Sequence, residues 1–344
     1  MSSHPRRCLP ALLHLSLALS AFAAPPRSVP PPYPTLGSVE RLDPSIDRLI
    51  APGAVIEKLA EGFSWAEGPV WVPAQGHLLF SDVPNNTVYR WNAKDGLTPF
   101  LKPSGFTGTS RDGKEQGSNG LALDSKGQLV LCQHGDRRLA RLNPDRVTFT
   151  TLADRYDGKR FNSPNDVCYD AQSRPYFTDP PYGLPPGSVR ELDYHGVYRV
   201  ERDGTVTLLV SDLERPNGIA FSPDFKRLYV ANSHRPRPIV MVYEIGIDDR
   251  LHNGRVVIDT SPYFDDKPGG GGLPDGLKAD EQGNLWVTGP GGVLVVRADG
   301  KLLGRILPGH TTANCGWGDD GRTLYLTSNG VLARIRTLTK GVGW

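Results

Sequence analysis

Arg215-Pro216-Asn217-Gly218-Ile219-Ala220-Phe221-Ser222-Pro223-Asp224 is the stretch from which the architecture can be read. It sets a proline and an amide ahead of a glycine, continues into an apolar strand and closes on an acidic turn. The arrangement recurs at Ala66-Glu67-Gly68-Pro69-Val70-Trp71, Ser118-Asn119-Gly120-Leu121, Pro164-Asn165-Asp166-Val167, Pro274-Asp275-Gly276-Leu277 and, more weakly, Ala313-Asn314-Cys315-Gly316. Successive copies begin 52, 46, 52, 58 and 39 residues apart. Several run on through a turn into a second strand, as Asp124-Ser125-Lys126-Gly127 does into Gln128-Leu129-Val130-Leu131. A repeat of roughly 40–50 residues holding four strands is the signature of a propeller blade. Six copies predict an all-β, six-bladed β-propeller with four-stranded antiparallel blades. Two separate β-sandwiches would leave the recurrence unexplained. Asp-Gly pairs at 95–96, 112–113, 157–158, 203–204, 299–300 and 320–321 mark hairpins, because both residues tolerate positive φ. Residues 54–60 are expected to supply a strand that closes the ring with the last blade.

Composition points the same way. The 344 residues include 39 glycines and 31 prolines, about a fifth of the chain, and both are expelled from helix interiors. With 39 basic and 37 acidic residues the net charge is +2, which gives no electrostatic case for nucleic acid. The body has no apolar run of about 18 residues, so no spanning helix is expected there. At the amino end, His4, Arg6 and Arg7 precede an apolar run from Leu9 to Ala24 that finishes in Ala21-Phe22-Ala23-Ala24. That is the pattern of a secretory signal peptide. The expected organisation is a signal peptide at 1–23, an extended Pro-rich lead-in at 24–50 and the propeller at 51–344. Such a protein is periplasmic or secreted, with no membrane partner once the signal is removed. Cys8 falls in the signal; Cys132, Cys168 and Cys315 remain, an odd number that leaves at least one thiol free.

In a propeller the innermost strands line the central channel, so equivalent positions converge at one end of it. Here those positions hold Glu67, Asn119, Asn165, Asn217, Asp275 and Asn314. Buried carboxylates are costly unless paired or bound to a cation, and no Lys or Arg takes the equivalent position. Two acids among amide oxygens predict a metal site on the channel axis, and hard oxygen donors favour Ca²⁺ or Mg²⁺. The plainer reading, that Asn-Gly and Asp-Gly are merely turn residues, struggles with their recurrence before an apolar strand.

The motifs around Glu67, Asn165, Asn217 and Asp275 resemble the regucalcin/gluconolactonase family of six-bladed propellers, over roughly residues 55–335. Phe177-Thr178-Asp179-Pro180-Pro181-Tyr182-Gly183 looks like its bacterial gluconolactonase branch. The resemblance implies one divalent metal, Ca²⁺ first, with Mg²⁺, Zn²⁺ or Mn²⁺ as alternatives. Its ligands would be Glu67, Asn165, Asn217 and Asp275, and the reaction the hydrolysis of a small-molecule sugar lactone such as glucono-1,5-lactone. The family's sugar-contacting Arg, two residues ahead of the Asn165 position, is Ser163 here; Arg160 is close but out of register. Asp275 is the leading general base, with the alternative that it is only a ligand. Asn119, His134 and Tyr182 are the candidate substrate contacts.

Competing chemistries fail on inspection. There is no Gly-x-Ser-x-Gly, Ser-x-x-Lys, Cys-x-x-Cys or His-Glu-x-x-His. Gly316-Trp317-Gly318-Asp319-Asp320-Gly321 fits the dinucleotide pattern but leads into a strand, not a helix. Lys267-Pro268-Gly269-Gly270-Gly271-Gly272 lacks the end of a phosphate loop and reads as a flexible loop beside Asp275. Two other readings stand: a non-catalytic binding propeller with a structural metal, and hydrolysis of other lactones or organophosphates at the same site.

Overall fold

The structure, a computed structural model, describes residues 24–109 and 115–344. The expected signal peptide, Cys8 and the Asp112–Gly113 pair lie outside the described residues. Six antiparallel sheets span residues 66–101, 118–153, 167–210, 216–259, 277–307 and 314–336, here blades 1 to 6. Within each, the strands pair in chain order. The innermost strands touch one another in cyclic order, the sixth against the first. Ile56–Glu61 pairs outside Val331–Arg336 and completes blade 6, as the ring-closing expectation had it. Asp-Gly turns join paired strands at Gly96, Gly204, Gly300 and Gly321, each glycine at φ between 71° and 94°.

The lead-in lies on the propeller: Arg27–Ser28 and Thr35–Leu36 both pair with Ile56–Glu61. Ser38–Arg41 adds a fifth strand to blade 5, and a 3₁₀ turn, Pro44–Arg48, buries Ile46 beside Leu49 and Ile50. The physical reason is that the outer strands of blades 5 and 6 present unpaired backbone, which an extended segment can cover.

Three devices set the inner strands around the axis. The first is the glycine of the repeat. A Cβ on Gly68 would fall 2.2 Å from Asn119 O, one on Gly120 2.6 Å from Asn165 O, and one on Gly218 2.2 Å from Asp275 O. Each glycine therefore lets one blade's motif lie against the backbone of the next. Of these three only Gly68 has positive φ, at 52°, so close approach rather than turn chemistry explains the recurrence. The second device is a hydroxyl on the second strand that reaches the next blade's motif carbonyl. Ser81 Oγ donates to Asn119 O at 2.9 Å, Thr178 Oγ1 to Asn217 O at 2.7 Å, Ser233 Oγ to Pro274 O, and Thr288 Oγ1 to Ala313 O at 2.9 Å. The third is an acid or amide near the end of that strand, which clamps the loop ahead of the motif. Asp82 accepts from the Ser64 and Trp65 amides, Asp179 from those of Asn162 and Ser163, and Asn232 Oδ1 from that of Arg215. Wedge-shaped apolar layers fill the space between blades, as where Trp71 of blade 1 stacks on Tyr325 of blade 6 at 5.8 Å.

Candidate active site at the channel mouth

The three devices converge on one cleft of about 250 Å³, a volume suited to a monosaccharide-sized ligand. Glu67, Asn119, Asn217 and Asp275 line it, together with Tyr182 and with Gly271 and Gly272 of the glycine-rich loop. Four of the expected axial residues thus meet at one surface. Asn165 does not line the cleft; it is buried, its backbone carbonyl accepting from Gly120 N at 2.7 Å. A second groove of about 300 Å³ between blades 1 and 2 is lined by Val72, Leu79, Phe100 and Leu142 and holds no carboxylate.

The electrostatics of the mouth are unusual. Burial pushes the Glu67 carboxyl up to about 8, against a hydrogen bond from Gly68 N, and the charge of Asp166 adds to the rise. Asp275 is driven well above the ordinary carboxylate range, first by burial and then by the charge of Glu67. Among the described residues neither acid is paired with a Lys, Arg or His. Asn119 Oδ1, Asn217 Oδ1 and Asp275 Oδ1 are buried without a hydrogen-bond partner. Unpaired buried polar atoms are rare and expensive, so a cluster of three marks a place meant for something else. No three His, Cys, Asp or Glu side chains among the described residues converge closely enough to cage an ion by themselves. Any cation here would rest on the amide oxygens as well as on the two acids.

Several residues of the site escaped sequence reading. Asp166 occupies the position that Gly68, Gly120, Gly218 and Gly276 hold in other blades, so its carboxylate projects into the ring; its Oδ2 has no hydrogen-bond partner and lies 3.9 Å from Lys278 Nζ. Glu115 also lines the cleft, and burial raises its carboxyl. Trp65, Ser233, Arg235 and Leu273 complete the walls. Arg235 is held over the Phe264 ring at 4.4 Å and donates to Gly271 O at 2.8 Å, which ties the glycine-rich loop to blade 4. Only the repeat of Asp166 against glycine was visible in the sequence beforehand.

Two expected positions turn out differently. His134 does not line the cleft: it is 0 % exposed beside the Asn165 side chain, and burial pushes its imidazole down to about 4. Ser163 is equally enclosed, because its hydroxyl donates to Pro180 O at 2.5 Å and accepts from Gly183 N at 2.9 Å. The residue standing where the family has a sugar-binding Arg is therefore spent on holding the Pro180–Gly183 loop. Tyr182 on that loop does face the cleft, with the Arg215 guanidinium over its ring at 5.6 Å. Cys132, Cys168 and Cys315 are all free thiols.

Residues 65–330 match the model of the SMP-30/Gluconolactonase/LRE-like region. The chain belongs to that family. It is 39% identical over 316 residues to a gluconolactonase of Zymomonas mobilis, covering 89% of this chain and 88% of that one. It is 28% identical over 271 residues to pentonolactonase XacC of Haloferax volcanii, covering 77% and 81%. Among solved structures, a gluconolactonase of Xanthomonas campestris superposes with a TM-score of 0.77 at 30% identity, over 92% of this chain and 99% of that one. A calcium-binding regucalcin of Agrobacterium tumefaciens shares the fold, with a TM-score of 0.62 at 19% identity, over 82% of this chain and 92% of that one.

Proposed function

We propose that the chain is a secreted or periplasmic lactone hydrolase that opens sugar lactones, glucono-1,5-lactone among them, at the channel mouth. The observation that carries this reading is the cluster of buried, unpartnered oxygens beside two acids, Glu67 and Asp275, neither of which pairs with a Lys, Arg or His among the described residues. That donor set fits a hard divalent ion, Ca²⁺ first. Glu67, Asn165, Asn217 and Asp275 would hold it. When bound, the ion supplies Lewis-acid polarisation of the lactone carbonyl. Export is supported by the charged start and apolar run of residues 1–24.

The chain's own residues account for the rest. Asp275, which lines the cleft, would accept the proton of the attacking water, and the ring C–O bond would break as that proton passes to the departing alkoxide. Asn119 and Tyr182, which both line the cleft, would meet the lactone's hydroxyls. Trp65 and Leu273 give the cleft apolar wall, which would shield a bound lactone from bulk water and strengthen the electrostatic contacts within.

Two measurements follow. In a pH-stat with the spontaneous rate subtracted, glucono-1,5-lactone should be hydrolysed well above background, and chelator should remove that rate. A non-catalytic propeller would give background rates throughout, and a phosphotriesterase would prefer a phosphotriester to the lactone. The second measurement is thermal unfolding of the cation-free protein between pH 5 and 8. Carboxyls raised by burial bind protons more tightly when folded than when unfolded, so stability should fall as pH rises from the unfolded value near 4.5 through the folded value near 8. Added Ca²⁺ should restore Tm more at pH 8 than at pH 5.5. A cation-free Tm that climbs over this window would contradict the charge assignment.

A further inference from the structure

His134 is buried, beside the candidate site, and has no part in the chemistry above. Its Nδ1 lies 3.2 Å from the backbone carbonyl of Glu115, and its Nε2 lies 3.5 Å from the side-chain nitrogen of Asn165. A carbonyl oxygen offers only lone pairs, so Nδ1 must carry the ring proton. The ring is wholly enclosed and, among the described residues, pairs with no carboxylate. It is therefore neutral, and Nε2 presents a lone pair. Asn165 can meet that lone pair only with an N–H; the flipped amide would set oxygen against it. Because the amide is planar, Oδ1 is then turned to the side away from the ring.

The imidazole is itself held by close packing. A Cβ on Gly183 would fall 2.4 Å from His134 Cβ. Gly183 in turn is anchored through its N–H to Ser163 Oγ at 2.9 Å. The chain of contacts runs from Ser163 through Gly183 to His134, and from there to Asn165 on one side and to the Glu115 backbone on the other. Glu115 itself lines the cleft.

We propose that His134 is a positioning residue whose single available tautomer fixes the Asn165 amide so that Oδ1, and not Nδ2, faces the channel axis. This rests on the cation reading above. A reversed amide would present N–H groups to a cation, replacing one ligand by a repulsive dipole. The role also gives a reason for the Pro-Pro-Tyr-Gly segment: its glycine leaves room for the imidazole.

The test is cation affinity, read by calorimetry with Ca²⁺ and by Tb³⁺ luminescence sensitised through Trp65. His134→Leu removes both hydrogen bonds while filling the space. His134→Gln restores an N–H for the Glu115 carbonyl and an oxygen for Asn165. Leu should weaken Ca²⁺ and Tb³⁺ binding by at least about tenfold, the usual effect of losing a group that orients a ligand. Gln should return affinity to within about threefold of wild type, which a purely space-filling role would not require. Gly183→Ala, which displaces the ring but keeps its chemistry, should give a loss similar to Leu and serves if His134→Leu does not fold. Wild-type affinity in His134→Leu or in Gly183→Ala overturns the proposal, as does His134→Gln binding no better than Leu. Wild-type protein that binds neither ion at millimolar concentration overturns the cation reading itself, a result distinct from a failure confined to the variants.

Discussion

Asp275→Asn should lower kcat/KM for glucono-1,5-lactone by about a thousandfold, while leaving the propeller folded. The side chain is asked to do two things: contribute charge to a cation, and accept a proton beside the reacting carbonyl. The amide is isosteric, so packing is unchanged, and an amide oxygen can still accept the hydrogen bond that the Asn217 side chain makes to the carboxyl. Removing one preorganised electrostatic group from an active site typically costs about 10²–10³ in rate, and loss of the proton acceptor adds to that. The cation-free variant should be no less stable than wild type at pH 8, because burial and the charge of Glu67 disfavour the charged form of the acid it replaces. A variant with activity within tenfold of wild type would remove Asp275 from both roles.

Gly218→Ala should be the most damaging small substitution in the ring. The new methyl would sit 2.2 Å from Asp275 O and 2.8 Å from Gly276 Cα and Leu277 N, all backbone atoms of the neighbouring blade. No flexible side chain can yield, so the innermost strand of blade 5 must move and carry Asp275 with it. Overpacking of this kind costs about 3 kcal/mol, or roughly 5–10 °C in Tm for a domain of this size. Activity should fall at least tenfold at temperatures where the variant is still folded. Gly204→Ala is the contrast: its Cβ meets nothing within 4 Å, and only its φ of 87° is unfavourable. That change should cost about 1 kcal/mol and leave the lactonase rate untouched. Equal losses in the two variants, by thermal unfolding and by rate, would show that inter-blade contact is not what the repeat glycine provides.

The ring was legible because its repeat unit is physical as well as textual. Four of the six motif copies place a glycine where two blades touch, and the same positions put Glu67, Asn119, Asn217 and Asp275 around one cleft. What could not be read was anything set by contacts between segments without a repeat. Glu115 reaches the cleft from a loop between blades, with no periodic neighbour to mark it. His134, which follows a blade-2 strand, was a candidate substrate contact, yet the Gly183 loop of the next blade packs against it. Ser163 differed from the family pattern without showing why, since the answer lies in hydrogen bonds to residues 180 and 183. The lead-in's extended character was legible from its prolines, but its pairing was not: blades 5 and 6 each offered a sheet edge for it to cover, a contact no repeat marks.

The central claim is that the acids and amides at the channel mouth form a cation-dependent lactone-opening site. The most direct test titrates Ca²⁺ into chelator-treated wild-type protein and follows binding and the initial rate of glucono-1,5-lactone hydrolysis on the same samples. The expected result is a rate that begins at the spontaneous background and rises in proportion to site occupancy, reaching its plateau at one equivalent. Full activity in the chelated protein, or saturation of the site with no rise in rate, would contradict it.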